Sequence, residues 1–271
     1  MIKTKEMALV YLVAGLSSRY GGKIKAFAKV GKNKTLIEHS LNQALKSGFS
    51  KIVFVVGNKT EKPFKKKFKK EYKRIPVFYA LQKFNKKERD KPWGTTDALC
   101  SALPFLNCPF VICNGDDIYG ERTFKILVKH TKESEEEATV GYKLLSVLPK
   151  NSTVNRGIIK EKNSYIKWIR DYYNINRDNL RSNKLKKHAL CSMNIFSLHP
   201  ETVKLLNQNL KKFKKKNKKD RIIECRLPHE LSALVKSKKI KIKIYSSVDK
   251  WYGITNQGDE KLVRKALEKN K

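Results

Sequence analysis

Acidic residues, cysteines and long apolar runs are all in short supply in this chain. Its 271 residues carry 25 Asp and Glu against 61 Lys and Arg, a formal net charge of +36. The five cysteines (Cys100, Cys108, Cys113, Cys191 and Cys225) are odd in number, scattered and without a C-x-x-C pair. That excludes a disulfide framework or a zinc ribbon and leaves reduced, partly buried thiols as the expectation. No segment approaches the roughly 18–20 apolar residues of a membrane helix. The opening Met1-Ile2-Lys3-Thr4-Lys5-Glu6 has no signal-peptide core, so a cytoplasmic protein without a membrane span is expected. Internal repeats and long flexible linkers are missing too.

The shortage of acid, taken alone, suggests a polyanionic partner. The details argue against nucleic acid. The excess is lysine spread along the whole chain, and arginine, the better reader of bases and phosphates, is scarce beside it. Asparagine is also abundant, as a bias toward A-rich codons would produce. A solvated lysine surface is the simpler reading, with a used basic face as its rival. Either way a positive field speeds the capture of anionic substrates at low salt.

The most informative stretch present is residues 7–27, MALVYLVAGLSSRYGGKIKAF. Ala8 to Ala14 is an apolar run typical of a strand covered on both faces. It breaks into Gly15-Leu16-Ser17-Ser18-Arg19-Tyr20-Gly21-Gly22, with Lys23 and Lys25 behind. Small residues let backbone N–H groups approach an anion, and Arg19 and Lys25 add fixed positive charge. This is equipment for a phosphate chain, although it matches neither standard phosphate-loop fingerprint.

Further along, Thr35–Ser47 has helical spacing and ends at Gly48, Ile52–Gly57 reads as a buried strand, and residues 62–74 place Phe64, Phe68 and Tyr72 on one helical stripe. That last helix reads as a surface helix docked by its aromatics, or as one that meets nucleic acid or a membrane surface. Strands over Pro76–Leu81 and Pro109–Asn114, with helices over Thr96–Leu103 and Thr123–Thr131, complete an alternation that predicts an α/β fold with a mostly parallel sheet. From about Ala138 short strand candidates dominate (Ala138–Leu145, Gly157–Glu161, Tyr165–Ile169, Leu190–Leu198, Ile240–Tyr245). Helices near Pro200–Phe213 and Pro228–Ser237, an exposed loop over Phe213–Lys219 and a last helix over Gly258–Glu268 accompany them. This half is expected as a small sheet and loop region over the carboxyl rim of the first sheet.

Ligands of open parallel sheets sit beyond the carboxyl ends of the strands. Three such ends carry notable groups here: the glycine loop; Gln82, followed by Lys91-Pro92-Trp93-Gly94-Thr95-Thr96-Asp97; and Asn114-Gly115-Asp116-Asp117. Phosphate donors, an amide that can face a base edge, and carboxylates that suit Mg²⁺ therefore fall on one rim. Each has a bland alternative, since Gln ends many strands and an Asp pair after a strand is often a helix cap.

Residues 12–27 resemble the glycine-rich signature that opens the sugar-phosphate nucleotidyltransferases. Further blocks in the order of NDP-sugar-pyrophosphorylase-like proteins appear as Lys91–Thr95, Asn114–Gly120, Thr153–Gly157, Ser192–Asn194 and Asp249–Thr255. The resemblance implies a Rossmann-like (GT-A-like) fold over one domain spanning 1–271. A nucleotide-binding half would cover about 5–137, an acceptor half about 138–256 and a C-terminal helix 257–271. It implies that Ala14, Gly15, Leu16, Ser17, Ser18 and Arg19 wrap a triphosphate, that Lys25 steadies the phosphates, and that Gln82 and Gly94, with Thr95 and Asn114 nearby, serve the nucleotide. Asp116 would bind Mg²⁺, with Asp117 and Asp249 as further candidate ligands. Arg156, Asn194 and Glu224 are candidates for the acceptor. Two departures stand out: Leu16-Ser17 replaces a commonly found second glycine, and Gly253 stands where many relatives carry a second metal-binding Asp after an aromatic pair.

The implied reaction joins a nucleoside triphosphate to a sugar 1-phosphate and releases pyrophosphate. UTP or dTTP is favoured because the Gln82 amide can both donate to and accept from a uracil or thymine edge. A cytidylyltransferase for a non-sugar phosphate such as choline phosphate or an aminophosphonate, a glycosyltransferase, and a non-catalytic polyanion binder are the alternatives. An oligomer is compatible with the sequence.

Overall fold

The structure is a computed structural model that describes residues 6–16, 20–149, 152–254 and 257–269. In its first half, β1 (Ala8–Leu12), α1 (Leu36–Ala44), β2 (Lys51–Val56), α2 (Glu61–Phe68), β3 (Glu71–Tyr72), β4 (Ile75–Leu81), α3 (Thr95–Ser101), β5 (Phe110–Asn114), β6 (Asp117–Ile118) and α4 (Glu121–Glu133) follow one another. β4, β2, β1 and β5 lie side by side in parallel. Apolar side chains alternate between the two faces of these strands, as the two-residue repeat of a strand requires. Leu9, Tyr11, Ile52, Phe54 and Val56 join one core with α1, α2 and α4. Ala8, Val10, Val53 and Val55 join the other with α3.

α1 begins where the Thr35 backbone N–H donates to Glu38 at 2.9 Å, and its chain turns out at Gly48 with φ 90°. α2 is shorter than its lysine-rich periodicity predicts. It stops after Phe68, and Tyr72 lies in β3, paired back onto β4 through a turn in which Lys73 and Arg74 both have positive φ. Phe64 and Phe68 are buried on Phe54, so the docked aromatic face is real over that shorter span.

The second half comprises β7 (Glu137–Lys143), α5 (Leu144–Val147), β8 (Val154–Lys162), β9 (Tyr165–Ile175), β10 (Leu190–Leu198), α6 (Pro200–Lys216), α7 (Leu227–Lys236), β11 (Ile242–Ser246), β12 (Tyr252–Gly253) and α8 (Asp259–Glu268). It continues the same sheet, in the order β3-β4-β2-β1-β5-β10-β7-β11-β9-β8. α6 runs to Lys216, into the segment that the sequence suggests as loop. β10 does two jobs. Its end, Phe196–Leu198, pairs with β5, whereas its start, Leu190–Ser192, pairs with β8, which closes the strands β7, β11, β9, β8 and β10 into a ring. The exchange happens at a register shift between Ser192 and Phe196, where Asn194 has φ 58°. This ring starts where β5 ends, so it stands beyond the carboxyl rim of the parallel strands. Among the described residues no helix is long and apolar enough to cross a membrane.

Candidate active site

β1 ends at Leu12, and the chain beyond it is held by the neighbouring strand ends. Val13 N–H donates to Val55 O at 2.9 Å, and Gly115 N–H donates to Leu12 O at 3.0 Å. Gly115 lies so close to Val13 that a Cβ there would meet its side chain at 2.2 Å. Gly15, Lys25, Ala26, Thr60, Gly115 and Asp116 line a small cleft over this junction. Lys25 starts a single 3-10 turn anchored by buried Ala26, which aims its Nζ at Asp116 Oδ2, 3.6 Å away. The Lys25 side chain is 13% exposed and that of Asp116 36%, so a cation and an anion meet at the mouth of the cleft. Gly15 and Leu16 are exposed beside them. Ser17, Ser18 and Arg19 lie outside the described residues.

Asp117 goes the other way. It is buried, and its Oδ2 accepts hydrogen bonds from Asn114 Nδ2 at 3.0 Å and Tyr119 Oη at 3.1 Å. Burial first, and then the neighbouring charge of Asp116, push its carboxyl up to about 7. Tyr119 also lies 2.8 Å from Met193 O, tying the Asp116-Asp117 turn to β10. Asp117 is therefore part of the wall and not a rim ligand. Asp249 is corrected as well: its Oδ2 accepts the backbone N–H of Thr123 at 2.8 Å and caps α4. Among the described residues no group of three His, Cys, Asp or Glu side chains converges on a metal position. Gly253 pairs with Asp117, and a Cβ on it would lie 2.5 Å from Asp117 Oδ1 and 2.3 Å from the Trp251 ring. The position where the resemblance would put an acid has no room for one.

Two strands along the rim from β1, Gln82 N–H donates to Val56 O at 2.8 Å. Its side chain is almost enclosed, and Nε2 donates to Gly94 O at 3.0 Å and to Asp97 Oδ2 at 2.7 Å. The donating end of the amide is committed inward, so the expectation that Gln82 has both a donor and an acceptor to offer is corrected: only its oxygen is left for an outside partner. Gly94 holds its place with φ 96°, and a Cβ would strike Cys225 O at 2.6 Å. Thr95 Oγ1 accepts Leu227 N–H at 2.9 Å, which joins α3 to α7. Glu224 lies against Gly94, whose Cβ would be 3.0 Å from that of Glu224. Its contact is with the block beside Gln82, not with Arg156 or Asn194.

Arg156 and Asn194 both lie on the ring of strands, on β8 and β10. Arg156 leaves β8 beside the start of β10. Its guanidinium lies 5.2 Å from the centre of the Trp251 ring and donates to Val147 O at 2.8 Å. Burial lowers its pKa from the ordinary arginine range. Arg156 Nε, Asn194 Oδ1 and Trp251 Nε1 are buried without a hydrogen-bond partner among the described residues. Buried polar atoms are normally paired, so these two donors and one acceptor stand out as unused hydrogen-bonding capacity. Sequence reasoning missed Trp251, Tyr119 and Lys214, and it placed Asp97 on the rim without a role. Trp251 and Tyr119 lie inside the blocks that carry the resemblance, and that was the only signal.

A family model described as nucleotidyl transferase matches residues 20–164. The bifunctional protein GlmU of Bacillus subtilis is 26% identical over 164 residues, a match covering 59% of this chain and 32% of that protein, so the chain spans about a third of the relative's length. Among solved structures, a protein described as a glucose-1-phosphate thymidylyltransferase from Bacillus anthracis superposes with a TM-score of 0.72 at 15% identity, covering 98% of this chain and 96% of that one. The inositol-1-phosphate CTP transferase from T. maritima does so with a TM-score of 0.66 at 15% identity, covering 97% of each. At such identities these two likenesses establish a shared α/β fold and nothing finer. The family model spans more than half of the chain, and on that ground the chain belongs to the nucleotidyl transferase family.

Proposed function

We propose that this protein transfers a nucleotidyl group from UTP or dTTP to a sugar 1-phosphate, giving an NDP-sugar and pyrophosphate. The observation that carries the reading is the shared cleft of Gly15, Lys25 and Asp116, with Gln82 on the same rim. Gln82 follows β4, which is separated from β1 by β2 alone. At the usual strand spacing that is about 10 Å from the glycine turn, a reach suited to a base at one end and phosphates at the other.

The acceptor's phosphate oxygen attacks the α-phosphorus in line, and the bond from that phosphorus to the bridging oxygen breaks, so that pyrophosphate leaves with the electron pair. A phosphate monoester is already anionic near neutral pH, so no general base is required. Lys25 and the exposed backbone at Gly15 hold the two anions together, and alignment supplies most of the rate. One accessible carboxylate, Asp116, fits an Mg²⁺ that arrives on the nucleotide's phosphates, because that ion typically rests on one or two carboxylates plus substrate oxygens. When bound, the ion neutralises charge on the leaving group.

The Gln82 oxygen suits a base edge that presents an N–H, as uracil and thymine do at N3. Arg156 covers the Trp251 ring, so the trimethylammonium of choline phosphate would meet positive charge where it needs an aromatic face. Both observations favour a sugar phosphate with UTP or dTTP over cytidylyl transfer to choline phosphate. The test is a pyrophosphate-release screen that crosses UTP, dTTP, CTP, ATP and GTP with sugar 1-phosphates, choline phosphate and other phosphomonoesters in the presence of Mg²⁺. Release with UTP or dTTP and a sugar 1-phosphate is expected. Equal use of GTP, or release with choline phosphate alone, overturns the assignment.

A further inference from the structure

We infer that Asp97, steadied by Lys214, is the positioning residue that sets pyrimidine choice by deciding which end of the Gln82 amide faces the nucleotide. The inference rests on the base-side role proposed above for Gln82.

An amide has a donating end and an accepting end of nearly the same shape, and only its surroundings decide between them. Gln82 Nε2 reaches both Gly94 O and Asp97 Oδ2. Both partners are acceptors, so turning the amide over would set its oxygen against a carbonyl and a carboxylate. The oxygen therefore faces away from Asp97 and can serve only a donor.

Asp97 is itself held. It lies in the first turn of α3, nine-tenths enclosed, and its Oδ1 pairs with Lys214 from the last turn of α6. The Lys214 Nζ also lies 5.8 Å from the centre of the Trp93 ring, whose other contacts include the Arg89 guanidinium, centred 3.5 Å away. α6 thus reaches across α3 to hold Asp97 aimed at Gln82. A carboxylate has no hydrogen to offer, which is why the arrangement is one-way. An asparagine at position 97 could donate to the turned amide, leaving Gly94 O as the one opposed acceptor in place of two, and Gln82 could then present its N–H₂ to the N3 acceptor of cytosine.

The experiment is direct binding of UTP and of CTP, each with Mg²⁺, by calorimetry, which needs no knowledge of the acceptor. The wild type should bind UTP more tightly. In Asp97→Asn the ratio Kd(CTP)/Kd(UTP) should fall about five- to tenfold, the worth of about one hydrogen bond. Lys214→Met should lower it in the same direction by less, and it carries the test if Asp97→Asn does not fold. Gln82→Ala separates the two ideas. If it lowers the ratio while Asp97→Asn and Lys214→Met leave it unchanged, the base contact stands and the positioning role is overturned. If Gln82→Ala leaves the ratio unchanged, the base-side reading falls and the inference with it.

Discussion

The region around Gln82 and the region around Arg156 satisfy their polar groups differently. Around Gln82 most of the buried groups pair inside the protein, the amide N–H₂ with Gly94 and Asp97, Asp97 with Lys214, and Thr95 with Leu227, and Thr96 Oγ1 is the exception. Around Arg156 they do not, and Arg156 Nε, Asn194 Oδ1 and Trp251 Nε1 are enclosed without partners among the described residues. An unpaired buried polar atom costs about 1–3 kcal/mol, so the second arrangement persists only where something is gained from it. On the proposed function, the contrast corresponds to a prebuilt nucleotide side and an acceptor side whose polar groups a ligand would complete.

The comparison breaks most readily at the junction of the two sides. Lys25→Ala and Asp116→Ala should each lower turnover by at least about 10²-fold, as the loss of one electrostatic group typically does. Near-wild-type pyrophosphate release from either variant would remove its role. Next comes the unpaired side. Arg156→Ala should raise KM for the acceptor by about 10- to 100-fold, the worth of a hydrogen bond to a charged group, with nucleotide Kd unchanged. A loss that falls on nucleotide binding instead would mean that the two sides are not separate.

A smaller effect is expected where they touch. Gly253→Ala drives a Cβ into Asp117 and Trp251 and should cost about 1–3 kcal/mol in denaturant unfolding, as overpacking does. A neutral substitution there would mean that the wall is soft. The smallest effect lies away from the cleft, at His199, where β10 meets α6. Its Nδ1 is 3.1 Å from Glu137 Oε2, and that bond raises its pKa. A raised histidine stabilises fully below its ordinary value near 6.5 and loses the contribution as pH climbs through the raised one. The stability gap between wild type and His199→Gln, followed by thermal unfolding, should therefore narrow above pH 6.5. A gap that widens with pH would contradict the pairing.

Much of this molecule was legible in one dimension. The apolar run before Gly15, the helical stretch that ends at Gly48 and the bounds of β10 follow from local rules, because covered strands and helix ends depend on residues close in sequence. The triad of Gly15, Lys25 and Asp116 was legible because strand ends of a parallel sheet share one rim. The length of α2 was not, since a hairpin onto β4 outweighed its helical stripe. Nor was the inward turn of Asp117 away from its neighbour. Asp116 lies in the turn before β6 and Asp117 on the strand itself, and the pairing of that strand with Gly253 across the chain is what buries Asp117.

Sequence by itself determined an alternating α/β chain with glycine, basic and acidic residues gathered at its strand ends, because periodicity and turn chemistry act over a few residues. Tertiary structure alone decided which carboxylates are spent on capping and burial, which end of the Gln82 amide is available, and that β10 leaves β5 for β8 above the rim. Those outcomes depend on contacts between residues far apart in the chain, such as Thr123 with Asp249 and Asp97 with Lys214, and no local pattern encodes a partner more than a hundred positions away.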